Sequence, residues 1–160
     1  MEGSLYLKPI EGAEVTIPAS DGKAVICDQA KLTNAYVDLD FKNWGLDKPD
    51  GSTLEIKVKT FEIVKDGEFM DFFCSVGINL KKLALTQSQI IEIAQNKKEI
   101  LNQDGSANFF LLRQGNEYFV VNVNLPASFP LKFGVFLLAH PDIWAGGIGS
   151  RVILHNFQDA

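Results

Sequence analysis

A chain of 160 residues, 46% hydrophobic and 22% charged, holds enough apolar side chains for one folded core and excludes intrinsic disorder. Its formal net charge of −5 excludes the broadly basic surface that non-specific nucleic-acid binding needs. Two cysteines, Cys27 and Cys74, are too few for the disulfide framework of a small secreted domain.

Met1-Glu2-Gly3-Ser4 lacks the basic and apolar segments of a signal peptide, which favours an intracellular location or a place in a larger particle. No apolar run reaches a membrane span; the longest, Phe129 to Ala139, is broken by Pro130, Lys132 and Gly134.

In chain order, Val15, Ile17, Val25 and Cys27 flank Asp21-Gly22, which predicts two strands joined by a tight turn. Val37, Leu39 and Phe41 alternate with Asp38, Asp40 and Lys42, the mark of a half-buried strand. Leu54, Ile56 and Val58 repeat that pattern, and the change of parity at Thr60-Phe61 predicts a bulge. Asp66-Gly67 reads as a second hairpin turn. It leads into a long strand whose core face carries Met70, Phe72, Cys74, Val76, Ile78 and Leu80, with Cys74 buried. Thr86-Gln87-Ser88-Gln89 is a capping box, opening a helix over about 86–103 that Asp104-Gly105 stops. Phe109–Arg113 and Tyr118–Leu125 form a hairpin around Gly115-Asn116. Leu131–Ala139 is apolar at both parities, as expected of a central strand covered on both sides, and Arg151–Phe157 is the last strand.

About eight to ten strands with regular turns and one helix predict a mainly β fold. The expected architecture is a single domain over 1–160, an antiparallel two-sheet β-sandwich, jelly-roll-like; a closed barrel is the competing arrangement.

Residues that could carry chemistry are scattered. Asp38 and Asp40 would lie on one strand face roughly 7 Å apart, a spacing open to calcium or glycosidase chemistry. Lys42, and Lys57 and Lys59 on a neighbouring strand, would turn them into ordinary ion pairs. Cys27, Cys74, His140 and His155 lack the ligand spacing of a zinc site. No Gly-x-Ser-x-Gly elbow is present, and Gly146-Gly147-Ile148-Gly149-Ser150 precedes a strand rather than a phosphate-binding helix. No catalytic residue, metal or cofactor is therefore expected.

The loop tryptophans Trp44 and Trp144 are the candidate contacts, as anchors for a protein or stacking platforms for a sugar. Asn43, Asp47, Asn122 and Asn124 could add hydrogen bonds beside them if the fold gathers them. The segment Ile143-Trp144-Ala145-Gly146-Gly147-Ile148-Gly149-Ser150-Arg151-Val152-Ile153-Leu154-His155-Asn156-Phe157 resembles the closing part of concanavalin-like and jelly-roll carbohydrate-binding sandwiches. That resemblance implies a sugar-binding sandwich and transfers no sugar-binding residue. The order of strands and helix also resembles an oligonucleotide-binding barrel, with Tyr36, Phe73 and Phe110 available for base stacking. The reading preferred from sequence is a non-catalytic module for protein–protein interaction, self-association or assembly into a larger complex. Carbohydrate binding is the alternative and single-stranded nucleic-acid binding a minor one.

Overall fold

The computed structural model describes residues 4–76, 79–127, 130–139 and 147–156. The strands are β1 (Leu7–Ile17), β2 (Tyr36–Val37), β3 (Ile56–Ile63), β4 (Asn108–Gln114), β5 (Glu117–Asn124), β6 (Lys132–Leu137) and β7 (Arg151–His155). The α-helices are α1 (Gln29–Leu32), α2 (Asp40–Asn43), α3 (Phe69–Cys74), α4 (Leu80–Leu83) and α5 (Gln87–Asn96).

All seven strands join in one sheet, in the order β1-β3-β7-β4-β5-β6-β2. β4 runs parallel to β7 and β2 parallel to β6; the other neighbours are antiparallel. The fold is mainly β, as the alternation predicts. The described residues nevertheless build one mixed sheet where two stacked antiparallel sheets are expected. Helices do the covering that a second sheet would have done.

Cross-strand register shows how. Phe110 stands opposite Ile153 and Val121, while Phe109 stands opposite Val152 and Leu111 opposite Val120. The first set, with Val58 and Phe133, packs with Ile90, Ile93 and Ala94 of α5. The second, with Phe61 and Leu154, packs with Phe69, Phe72 and Phe73 of α3 and Leu83 of α4. Two apolar cores thus lie on opposite faces, called here face one and face two. β4 is buried on both through Asn108–Leu112, which explains its unalternated Phe-Phe-Leu-Leu run. The role of doubly covered central strand belongs to β4 rather than to 131–139, since β6 lies next to the edge strand and its Leu137 is 50% exposed. Double covering also accounts for Thr60-Phe61. The β3–β7 register runs unbroken through them, Thr60 being buried on face one and Phe61 on face two. The bulge lies instead in β1, between Pro9 and Glu14.

Three predicted strand stretches contain helical turns: the one through Val25 and Cys27, the one through Val37, Leu39 and Phe41, which enters α2 at Asp40, and the one that starts at Met70. Val25 and Cys27 flank or enter a 3-10 turn, Ile26–Asp28. Around Asp21-Gly22 the pairing among the described residues is an isolated Ser20–Thr53 bridge. Gly22 has φ +75°, and a Cβ there would collide with the Gly51 carbonyl. In Met70–Leu80 the apolar residues fit period two as well as helical spacing, and local capping decides. The Glu68 amide donates to Asp71 Oδ2 at 2.8 Å, half of a reciprocal capping box that starts α3. Asp66-Gly67 therefore leads into a helix, and Cys74, expected buried, is exposed.

The capping box of α5 forms as predicted, the Thr86 amide donating to Gln89 Oε1 at 2.9 Å. The helix ends at Asn96, short of 103, because Lys97 leaves helical geometry (φ −129°) and Lys98–Ile100 form a 3-10 turn. Gly105 (φ +90°) serves the turn before β4. The Gly115-Asn116 hairpin forms as expected: Gln114 pairs with Glu117, and Gly115 takes φ +63° at the first turn position, as a type II′ turn requires.

Candidate interaction surface

The edge at β6 is where the sheet is left unfinished. β2 pairs with β6 only at Tyr36↔Lys132 and Val37↔Phe133. The Tyr36 amide donates to Leu131 O at 2.9 Å and the Asp38 amide to Phe133 O at 3.0 Å. Alternate residues of a strand send their main-chain groups to the same edge, so Val135 and Leu137 direct theirs along the course β2 would have taken.

Asp38 is the reason that pairing stops. Its Oδ1 accepts from the Asp40 amide at 3.0 Å, and its carbonyl accepts from the Phe41 amide at 3.2 Å. The Asx turn diverts the chain into α2, where Phe41 is fully buried. Among the described residues, none pairs with the outer edge of β6 at Val135 or Leu137.

Beside this edge lies an apolar hollow of about 380 Å³, lined by Met70, Glu117, Tyr118, Phe119, Leu137, Leu138 and Ala139. Leu137 stands half exposed, and Tyr36 and Leu39 are exposed in and just after β2. The Trp44 ring stacks on Phe119, one of the lining residues, centroids 6.0 Å apart and planes 22° apart.

No family model, curated protein or solved structure matches this chain.

The residues singled out from sequence are not gathered into one site. Trp44 is half-buried at the end of α2 and packs against the face-one core. Near it, Asn43 is exposed and its Nδ2 donates to Asp40 Oδ1 at 3.3 Å; Asp47 is exposed. Asn122 and Asn124 share the parity of Val120, which packs on face two, so the sheet separates them from Trp44. Both serve the fold: Asn122 Oδ1 accepts from the Asn108 amide at 3.2 Å, and Asn124 Nδ2 donates to Gly105 O at 2.8 Å. Trp144 and His140 lie outside the described residues, as does the start of the segment that resembles carbohydrate-binding sandwiches. Its described remainder includes β7, an interior strand between β3 and β4.

Asp38 and Asp40 do not share a strand face, and Lys57 and Lys59 sit on β3, near the opposite end of the strand order. Among the described residues, no group of three or more His, Cys, Asp or Glu side chains is placed to hold a metal ion. The Cys27 thiol is pushed up by burial and then by Asp47 and Asp28, which keeps it protonated and a poor nucleophile. His155, half-buried on β7, is held below the usual imidazole range by burial. No helix among the described residues is long and apolar enough to cross a membrane.

Sequence reasoning missed the β6 edge. The available signal was Asp38 itself, an Asx-turn former inside an otherwise strand-like run.

Proposed function

We propose that this chain is a non-catalytic binding module that takes an extended segment of a partner protein onto the outer edge of β6. The supporting observation is the set of outward main-chain groups at Val135 and Leu137 beside an apolar hollow. Strand addition uses those two features together: main-chain bonds hold the segment, and a pocket selects one of its side chains.

Magnitudes set the kind of contact. Each main-chain bond contributes about 1 kcal/mol net. An apolar side chain filling the hollow adds about 1.5–3 kcal/mol, whereas association itself costs about 4 kcal/mol or more. This edge alone supports a weak, reversible complex, and a tight assembly requires further surface.

A displayed library of extended peptides tests the reading, with amide resonances as the readout. Selected peptides are expected to shift the amides of Val135 and Leu137 most, and Leu137→Pro, which removes an outward N–H without touching the β5 ladder, to abolish binding. Binders that shift other residues and ignore Leu137→Pro would refute it.

A further inference from the structure

Resting on the open-edge reading above, we infer that the segment taken by β6 carries an apolar residue flanked on both sides by lysine or arginine. The charges bordering the open stretch are acidic at each end. Asp38 marks one end, its amide bonded to Phe133 O, with Asp40 following it. Glu117 marks the other: it is exposed and is the charged residue on the rim of the hollow. On β5 it lies two residues before Phe119, which stands opposite Leu137. From Phe133 to Leu137, where β6 ends, is about 13 Å of extended strand, room for roughly four residues. The apolar hollow, lined by Leu137, Leu138 and Ala139, opens at its far end.

The nearby cations are engaged elsewhere: Arg113, opposite Tyr118 on β4, gives its Nε–H to Gly115 O at 2.9 Å. Lys132 stands opposite Tyr36, where β2 already occupies the course, and Lys42 lies within electrostatic reach of Cys27 on the face-one side. The chain's net charge of −5 adds a long-range pull on basic partners. A second copy of this chain suits the edge poorly, because pairing two β6 edges would bring the acidic borders of both copies together.

Two labelled peptides test the inference on the full chain by fluorescence anisotropy. One has a central leucine with lysine two positions to either side, and the other has glutamate in place of lysine. The lysine peptide is expected to bind at least about tenfold tighter at low salt, with the advantage shrinking as salt is raised. Glu117→Lys, in an exposed position, is expected to cost that peptide about three- to tenfold. Leu137→Pro is expected to abolish binding, and Leu137→Arg repeats the test should the proline variant fail to fold. Equal binding of both peptides, lost in Leu137→Pro, would overturn the charge inference and leave the edge reading standing. Absence of binding by either peptide, or binding indifferent to both Leu137 variants, would overturn the two together. A dimer by light scattering that Leu137→Arg dissolves would assign the edge to a second copy instead.

Discussion

The two edges of this sheet meet the same hazard in opposite ways. β1, at one edge, is long, and a long edge strand invites unwanted pairing. It is interrupted by a bulge between Pro9 and Glu14, where Gly12 takes φ +76°. Pro9 has no N–H to offer, and Lys8, Glu11 and Glu14 line the strand with charge. Glu14 is tied down as well, its Oε2 accepting from Asn156 Nδ2 at 2.6 Å. At the other edge β2 is two residues long, and Leu137, Tyr36 and Leu39 stand exposed around the part of β6 it leaves uncovered. Where one edge carries a bulge, a proline and a row of charges and the other, among the described residues, carries none of these along Val135 and Leu137, the barer edge is the natural place to look for a partner.

The comparison supposes that both edges belong to one cooperative unit, and the largest predicted effect tests that. Phe110 is fully buried in β4, between the two edges. Phe110→Ala is expected to cost about 3–5 kcal/mol. In a Trp144→Phe background, urea unfolding followed by Trp44 fluorescence, near the β6 edge, and by a label at Lys8 on β1 should give one shared midpoint that shifts by that amount. Separate midpoints would break the sheet into independent halves and the comparison with it.

A smaller effect sharpens the contrast. Asp38→Ala removes the Asx bond to the Asp40 amide and is expected to cost about 1 kcal/mol. It also frees the chain to continue along β6, so hydrogen exchange at the Val135 amide should slow even as overall stability falls. Unchanged exchange would mean that Asp38 is not what ends the pairing. On β1, Gly12→Ala forces a Cβ into φ +76° and is expected to cost about 1 kcal/mol. Replacing Glu11 by valine, with Glu14 and its bond from Asn156 kept, should leave stability nearly unchanged and make the guarded edge more prone to aggregate, measured by light scattering.

How much of this was legible in the sequence depends on whether local chemistry or tertiary covering decides each element. The Thr86–Gln89 capping box and the Gly115-Asn116 turn are fixed by residues within a few positions of each other, and both form as read. The stretch from Met70 to Leu80 admits two periodicities, and only the Glu68–Asp71 box and the apolar face of β4 awaiting cover make its first part, to Cys74, helical; Ile78 lies outside the described residues. The change of parity at Thr60-Phe61 looks like a bulge until both faces of the sheet are known to be buried. The candidate site was less legible than the fold. Trp44 reads as an exposed platform from its Gly-flanked loop, yet Phe119, far away in sequence, gives it a stacking partner. The groups that define an open edge belong to the main chain, so its trace among the side chains is indirect: Asp38, whose Asx turn ends β2.

The smallest effect is a pH dependence in which two groups oppose each other. Burial holds His155 below 6.5, so the unfolded chain takes up this proton first. The stability contributed by the neutral imidazole is full above 6.5 and is lost as pH falls through 6.5 toward the lowered value. Asp50, whose Oδ2 accepts from the Gln87 amide at 2.8 Å, is pushed above 3.8 by burial, only partly offset by that bond. Here the folded chain takes up the proton first, and stability rises as pH falls through the raised value toward 3.8. Asp104, held below 3.8 by the Ser106 amide, matters only in more acid solution. Between about pH 7 and pH 5 the histidine dominates, and the urea midpoint should fall. His155→Gln should flatten that fall, while Asp50→Asn, which keeps an acceptor for Gln87 and removes the opposing group, should steepen it toward the acid end. His155 is on β7, which pairs with β3, the neighbour of β1. A steeper acid loss of exchange protection in β1 than in β6 would show the guarded edge giving way first, whereas equal loss would place the pH dependence in the sheet as a whole.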